Sequence, residues 1–290
     1  MSLPTLESPQ AICHSLDISI ISADLLQNKA GIRTFRLALP DGATAILKQF
    51  DSVLERREVA NYRLLKSLGI PTLKVLAESA SAIVLEDLQT SPHRRLGREA
   101  DLDSELIAVC IADWYRRLHS RGVGIPELDG LYSELDYLTQ DWYARVKTIT
   151  GTAALPIWKT LEANADKLSV ALKRLPRTLT YNDYYWVNLA VRRDEKQALM
   201  FDYNLLGAGF PEMDLQNVCA SLTPNAGAAF REAYGPSDPM EAAAYEIVSP
   251  LASLAIGLER SPHPGWWVEA LKEVISPEFE VKVLRFISSA

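Results

Sequence analysis

Cysteine and histidine are scarce in this sequence. Only three cysteines, Cys13, Cys110 and Cys219, occur among 290 residues, and they are far apart. The four histidines are also scattered, so neither residue type has the close spacing of a structural zinc site, and we expect none. A small, odd number of separated cysteines argues against a disulfide framework and suits a reducing, cytoplasmic environment.

Long apolar runs are missing too. The first residues, MSLPTLESPQ, lack the basic and apolar regions of a signal peptide. The most apolar later segment, IVSPLASLAIGL at 247–258, is too short to cross a bilayer and contains Pro250. We therefore expect no membrane partner and interpret 247–258 as a buried helix.

A basic excess, which would suggest a nucleic-acid partner, is also absent, because the net charge is −7. Residues 1–200 carry 25 acidic and 25 basic side chains, whereas residues 201–290 carry 12 acidic and 5 basic ones. The whole acidic excess therefore lies in the last third. It is either a solvated helical surface or a negative field that attracts a cationic substrate.

Strand patterns dominate the first 88 residues. Four segments are alternating or continuously apolar: 32–39, 43–50, 72–79 and 81–88. Asp41-Gly42 separates the first two and is a strong hairpin signal, and a turn near Ser79–Ser81 joins the last two. Between these pairs, 52–71 has helical periodicity, with Ser52 and Glu55 at its start and Gly69 and Pro71 at its end.

After Leu88 the pattern changes to long helical segments. Six are predicted, at 101–122, 132–149, 155–175, 212–233, 238–259 and 264–288. Strands return only around 177–203. We therefore predict an α+β protein in which a small antiparallel β-sheet lobe with one helix, residues 1–88, precedes a larger, mainly helical lobe, residues 89–290.

Five polar residues stand out in chain order: Lys48, Glu58, Asp183, Asn188 and Asp202. Taken singly, Lys48 is a surface lysine at a strand end and Glu58 is a solvated helix residue. Together they match the ion pair between a strand lysine and a helix glutamate that holds a lysine against nucleotide phosphates.

Asp183 and Asn188 have the Asp-x-x-x-x-Asn spacing of a phosphotransferase catalytic loop. In such a loop the Asp accepts the proton or hydrogen bond of the acceptor hydroxyl, and the Asn oxygen is a neutral ligand suited to Mg²⁺. A predicted hairpin over 188–202 brings Asn188 and Asp202 together at its open end. The first pair alone is a weak signal, but the ordered set of five favours phosphoryl transfer.

The stretch YNDYYWVNLAV, followed by LMFDYN, resembles the His-Gly-Asp-x-x-x-x-Asn loop and the following Asp strand of the aminoglycoside phosphotransferase and choline kinase family. The resemblance covers nearly the whole chain. KAGIRTFRLALPDGATAILKQF resembles the phosphate loop and lysine strand, REVANYRLLKSLGIP the first-lobe helix, IVLEDL the hinge, and IADWYRRLHS the helix that supports the loop. It implies a two-lobed protein-kinase-like fold and ATP-dependent phosphorylation of a small-molecule hydroxyl, on an aminoglycoside, an amino alcohol or a sugar.

The resemblance also implies the site residues. Asp183 would be the catalytic base, and Asn188 and Asp202 would bind Mg²⁺. Lys48 would contact the α- and β-phosphates of ATP, and Glu58 would orient Lys48. Four further positions would hold the nucleotide, with Gly31 in the phosphate loop and backbone groups near Glu86, Asp87 and Leu88 on adenine. Asp214 of PEMD would brace the catalytic loop.

Three departures from the family pattern stand out. Tyr181-Asn182 replaces His-Gly, so we expect the loop geometry to shift, and Gly31 is the single glycine of the phosphate loop. The aromatic run Tyr184–Trp186 either packs against the helical lobe or lines the acceptor pocket. These departures motivate an alternative function, a nucleotide-binding or regulatory module with little catalysis. A third alternative, a purely structural protein, would require the five polar residues to occur in this order by chance. The sequence does not identify the acceptor or the oligomeric state.

Overall fold

The computed structural model describes residues 7–52 and 54–289. The segment MSLPTL, which contributes to the signal-peptide interpretation, lies outside these residues, as do Val53 of the predicted helix 52–71 and Ala290. The described residues form two compact units. Unit 1 takes its residues from Met1–Arg121, Asp183–Leu206 and Asn217–Tyr234, and unit 2 from Gly122–Asn182, Gly207–Gln216 and Gly235–Ala290. The predicted boundary after Leu88, based on the succession of strands and helices, stays a prediction.

The described part of the chain contains ten α-helices and ten strands. The helices are α1 Pro9–Ser15, α2 Arg57–Ser67, α3 Glu105–Gly122, α4 Tyr143–Thr150, α5 Pro156–Lys173, α6 Pro211–Ser221, α7 Pro224–Tyr234, α8 Pro239–Gly257, α9 Gly265–Val274 and α10 Pro277–Ser289. The strands are β1 Ser22–Lys29, β2 Ile32–Ala38, β3 Thr44–Phe50, β4 Val75–Glu78, β5 Ala82–Glu86, β6 Arg94–Leu96, β7 Thr178–Thr180, β8 Leu189–Arg192, β9 Ala198–Met200 and β10 Gly207–Gly209. None of the described helices combines the length and apolar content that crossing a membrane requires.

A five-stranded antiparallel sheet in unit 1 has the order β1-β2-β3-β5-β4. Four of its strands, β2 to β5, were predicted from their apolar patterns and are confirmed. The first strand was missed because almost all of β1 is exposed on both faces, which leaves no period of two in its sequence. Gly42, at φ +83°, occupies the turn between β2 and β3, as the Asp-Gly signal predicts.

Helix α2 is shorter than the predicted segment 52–71. Ser52 Oγ accepts a hydrogen bond from the backbone N–H of Glu55 at 3.2 Å, but this contact stabilises a turn before the helix. The helix itself begins at Arg57 and buries Glu58, Val59 and Leu65. The start was predicted too early because the same side-chain contact closes both a turn and a helix N-terminus.

Unit 1 also contains the three-stranded sheet β6-β8-β9. Strands β8 and β9 form the antiparallel hairpin predicted over 188–202, with Leu189 opposite Met200. The predicted helix 101–122 corresponds to α3, which begins four residues later, after a short 3₁₀ segment at Glu99–Asp103.

Unit 2 is mainly helical, and α4, α5, α8, α9 and α10 share one apolar core. The segment 247–258 lies almost entirely within α8, and most of it is buried, which confirms its interpretation as a buried helix. Among the described residues, the β structure of unit 2 consists of the antiparallel pair of β7 and β10 and a single bridge from Tyr132 to Gly207.

Three of the predicted helices are interrupted. The segment 132–149 contains a 3₁₀ turn at Glu134–Tyr137 and only the helix α4, with 138–142 between them. The segments 212–233 and 264–288 each divide into two helices, which begin anew at Pro224 and Pro277. Proline has no backbone N–H to continue a helix and is favoured in the first turn of the next one.

Candidate active site

A buried ion pair joins β3, the strand that contains Lys48, to helix α2. Lys48 Nζ lies 2.6 Å and 2.7 Å from the two carboxylate oxygens of Glu58, and 3.0 Å from Asp202 Oδ1. Both Lys48 and Glu58 are buried. Burial alone would lower the pKa of Lys48, but the charges of Glu58 and Asp202 outweigh this effect and raise it. The lysine is therefore held as a fixed cation.

Asp202 follows β9 directly and has an unusual backbone conformation. Its φ is +63°, in the left-handed region that residues other than glycine seldom adopt. Pairing of β8 with β9 continues in a hydrogen bond from Phe201 N to Asn188 O at 2.9 Å. The hairpin thus brings the backbones of residues 188 and 201–202 together, as its register predicts. Asp202 Oδ1 also accepts a hydrogen bond from Asn204 Nδ2 at 3.0 Å.

Asp183 is linked to Asn188 by a hydrogen bond from Asn188 Nδ2 to Asp183 Oδ2 at 3.0 Å. Burial, and secondly the negative charge of Asp202, raise the pKa of Asp183 to about 6. The hydrogen bond from Asn188 and the charge of Lys48 act in the opposite direction. Asp183 is still mostly ionised at neutral pH and is more basic than a solvated aspartate, as a proton acceptor requires.

A pocket of about 330 Å³ lies within unit 1. Its polar lining includes Lys48, Glu58, Asn188 and Asp202. The other lining residues include members of β1, β2, β3, β5 and β6 and of the segment after β5. Asp183 is not part of the lining and is connected to it through Asn188. The volume and the mixture of apolar walls with a few convergent polar groups are typical of a small-molecule or cofactor site.

The predicted hinge residues Glu86, Asp87 and Leu88 line this pocket. Asp87 is buried, and its carboxylate accepts hydrogen bonds from Arg36 Nε, Thr44 Oγ1 and the backbone N–H of Gln89. The Glu86 carboxylate is directed to other protein groups, including Arg94 at 3.1 Å. Among the described residues, the backbone N–H groups of Asp87 and Leu88 have no acceptor, so they are the hinge donors that a ligand can use.

Gly31 lies in the turn between β1 and β2, with φ +79°. Its carbonyl accepts a hydrogen bond from Asp51 N at 2.8 Å. The pocket lining from this hairpin consists of Leu26, Gln27, Thr34 and Arg36, and Gly31 is not among these residues. A role for Gly31 in a phosphate loop stays a prediction.

Asp214 braces the residues that precede Asp183. Its carboxylate accepts hydrogen bonds from the backbone N–H groups of Tyr181, at 2.8 Å and 3.1 Å, and of Asn182, at 2.9 Å. This confirms the predicted bracing contact. Asn182 has φ +64°, the left-handed conformation that glycine adopts most easily and asparagine tolerates. Asparagine at position 182 thus adopts a conformation that glycine would also allow.

The aromatic run divides into a buried and an exposed part. Tyr184 is buried in unit 1, whereas the side chain of Tyr185 is 51% exposed. The rings of Tyr185 and Trp186 contact each other, with centroids 5.8 Å apart. Packing therefore accounts for Tyr184 and in part for the half-buried Trp186, whereas the exposed side chain of Tyr185 is accessible to a ligand.

The donor groups at the end of the hairpin fit Mg²⁺. Within residues 7–52 and 54–289, no three His, Cys, Asp or Glu side chains form a metal-binding cluster. Asn188 and Asp202, the residues expected to bind Mg²⁺, both offer the hard oxygen atoms that Mg²⁺ prefers. Mg²⁺ commonly completes its shell with water and phosphate oxygens, which two protein ligands leave room for.

The model of the phosphotransferase enzyme family (APH) matches residues 25–247, which is more than half of the chain. The protein therefore belongs to this phosphotransferase family. No curated protein sequence matches the chain.

Solved structures of two phosphotransferases and of a choline/ethanolamine kinase family protein share the fold. A choline/ethanolamine kinase family protein from Mesorhizobium loti is 17% identical over 93% of each chain, with a TM-score of 0.61. Spectinomycin phosphotransferase APH(9)-Ia, with ADP and spectinomycin, is 14% identical over 99% of this chain and 100% of that chain, with a TM-score of 0.63. ADP-bound aminoglycoside phosphotransferase APH(2'')-Ib is 15% identical over 93% and 97%, with a TM-score of 0.64. The predicted α+β, two-lobed kinase-like fold is thereby confirmed.

Proposed function

We propose that the protein transfers the γ-phosphate of ATP, bound with Mg²⁺, to a hydroxyl group of a small molecule. The observation that carries this proposal is the connected polar cluster of Lys48, Glu58 and Asp202 on one side and Asn188 and Asp183 on the other. It lines or adjoins a pocket that also contains the three hinge residues. The ADP in two structures of similar fold supports a nucleotide as the donor.

Each residue of the cluster has a defined task in this proposal. Lys48, fixed by Glu58, neutralises phosphate charge, and the N–H of Leu88 binds the base. Asn188 and Asp202 hold Mg²⁺, which supplies further neutralisation of the triphosphate when bound. Asp183 accepts the proton or hydrogen bond of the acceptor hydroxyl and orients it. Phosphoryl transfer requires little more than such positioning and charge neutralisation.

The short segment after Asp202 favours a small acceptor over a protein. Only a 3₁₀ turn, Tyr203–Leu205, and β10 precede helix α6, which leaves no room for a long activation loop. The charge of unit 2 favours a cationic acceptor. Residues 201–290, most of which belong to unit 2, carry 12 acidic and 5 basic side chains, and such an excess of negative charge attracts cations. A neutral sugar is the other candidate.

The direct test is ATP turnover with a panel of amino sugars, neutral sugars and amino alcohols, comparing the wild type with Asp183→Asn. We expect turnover with at least one acceptor, and its loss in the variant. Equal activity of the two proteins would exclude Asp183 as the base. Binding of Mg·ATP without turnover on the whole panel would instead favour the nucleotide-binding module.

Salt distinguishes the two acceptor classes. For the acceptor that is turned over, KM should rise with ionic strength if the acceptor is cationic, because salt screens its attraction to the acidic residues. A KM that does not change with salt would indicate a neutral acceptor. The KM for Mg·ATP, measured in the same series, shows how much of any change arises at the donor site.

A further inference from the structure

Arg36 is a charged residue of the unit 1 pocket to which the proposed chemistry gives no task. It lies on β2 and lines the pocket together with Thr34. Phe35 and Leu37, which alternate with them along the strand, are buried in a separate apolar core. Since successive side chains of a strand point to opposite faces, the guanidinium of Arg36 belongs to the pocket face of the sheet.

The register of the sheet places Arg36 near the hinge. Arg36 is opposite Ile46, and Ile46 is opposite Leu85, the residue before the first hinge position. Lys48 lies in the next pocket-facing row, opposite Thr34. The two rows are two residues apart, which is about 7 Å along a strand. Arg36 is therefore at the end of the pocket that would hold the base, and Lys48 is at the end that would hold the phosphates.

A single contact fixes the guanidinium in this place. Arg36 Nε donates to Asp87 Oδ2 at 2.8 Å, and Asp87 also accepts from Thr44 Oγ1 at 2.7 Å and from Gln89 N at 2.9 Å. Asp87 is thus occupied by protein donors and is not available to a base. The Arg36 side chain is 32% exposed, and its two terminal nitrogens bond to none of the described residues.

The simplest alternative is that the Arg36–Asp87 pair only ties the hinge to β2. That role requires only a positively charged side chain that donates a hydrogen bond to Asp87. The position of Arg36 in the pocket would then have no function. A guanidinium is also planar and stacks on aromatic rings, which an ammonium does not do. The two roles therefore differ in what happens to nucleotide binding when the planar group is removed.

We infer that Arg36 is a nucleobase-binding residue whose guanidinium, oriented by Asp87, stacks on the face of the base. This inference rests on the proposed use of a nucleotide donor. It extends that proposal, because it assigns part of the nucleotide affinity to a side-chain contact with the base in addition to the hinge N–H.

The experiment compares two ligands that differ in the presence of the nucleoside. Dissociation constants are measured by calorimetry for Mg²⁺ with a non-hydrolysable ATP analogue and for Mg²⁺ with tripolyphosphate. The variants are Arg36→Met, which keeps the length of the stem, and Arg36→Lys, which keeps the charge. Arg33→Met is the matched control, because Arg33 is on the same strand and donates to Gln49 Oε1 at 2.7 Å, away from the pocket.

Arg36→Met should bind the ATP analogue about 5- to 30-fold more weakly, the effect expected for loss of a partly desolvated cation–π contact. Arg36→Lys should also bind it more weakly, because an ammonium lacks the planar face that stacks on the base. The affinity of both Arg36 variants for tripolyphosphate should stay within about twofold of the wild type, as should both affinities of the Arg33 variant. Unchanged affinity for the analogue, or equal losses for the two ligands, would overturn the inference. A wild type that binds neither ligand would contradict the proposed function itself. If Arg36→Met does not fold by circular dichroism, Arg36→Lys decides.

Discussion

Replacing Asp183 with Asn should abolish activity and stabilise the protein at the same time. Burial and the Asp202 charge raise the pKa of Asp183 from its ordinary value of 3.8 to about 6. The folded protein therefore binds a proton here more tightly than the unfolded chain does, so the ionised carboxylate opposes folding at high pH. Asn has nearly the same shape, retains an oxygen for the hydrogen bond from Asn188, and carries no charge.

The size of the stabilisation follows from the two pKa values. The difference between 3.8 and about 6 corresponds to at most about 3 kcal/mol at pH 8, where Asp183 is ionised in both states. It falls to about 1.5 kcal/mol at pH 5 and to about 0.5 kcal/mol at pH 4, because the wild type then gains the proton as well. For a chain of this length, about 3 kcal/mol raises Tm by about 5 °C.

The assay is thermal unfolding followed by circular dichroism at pH 8, 6 and 5, without nucleotide. Asp24→Asn, an exposed position on β1, is the matched control and should show no such trend. In phosphotransfer assays Asp183→Asn should lose at least about 100-fold in kcat, the usual contribution of a positioned base. A lower Tm of Asp183→Asn at pH 8, or a gain that does not change with pH, would refute the reasoning.

Two other substitutions test the lysine and the loop. Glu58→Gln should raise the KM for Mg·ATP by about tenfold, because Lys48 would keep only Asp202 as a carboxylate partner. An unchanged KM would show that Lys48 does not depend on its ion pair with Glu58. Asn182→Ala should destabilise the protein by about 1–2 kcal/mol in urea unfolding, and Asn182→Gly by less, because only glycine adopts φ +64° without strain. Equal effects of Ala and Gly would rule out the backbone explanation.

Two pairs within the polar cluster were predictable because their signals are local, whereas the contact between Lys48 and Asp202 joins residues 154 positions apart. Asn188 and Asp202 are brought together by a hairpin whose two apolar strands and polar turn can be read directly from the sequence. Lys48 and Glu58 are ten residues apart, one within β3 and one in the next helix, α2. In each pair the intervening segment is short, so local structure alone determines the contact.

Contacts between distant strands were not predictable in the same way. The bond from Arg36 to Asp87 joins residues 51 positions apart, and no local pattern indicates that the Asp87 side chain turns towards β2. Strand β1 escaped prediction because exposure on both faces removes the alternation by which strands are recognised. The helix breaks at Pro224 and Pro277 are different, since each proline was visible in the sequence and should have divided its segment.

The contacts of Asp214 have a consequence for how members of this family can be found. Asp214 binds main-chain N–H groups at positions 181 and 182, and a main-chain contact does not depend on which side chain is attached. The backbone at position 182 requires a residue that tolerates a positive φ. A search that requires the letters His-Gly before the aspartate would therefore miss chains like this one. The spacing of Asp183, Asn188, Asp202 and Asp214 is the better signature.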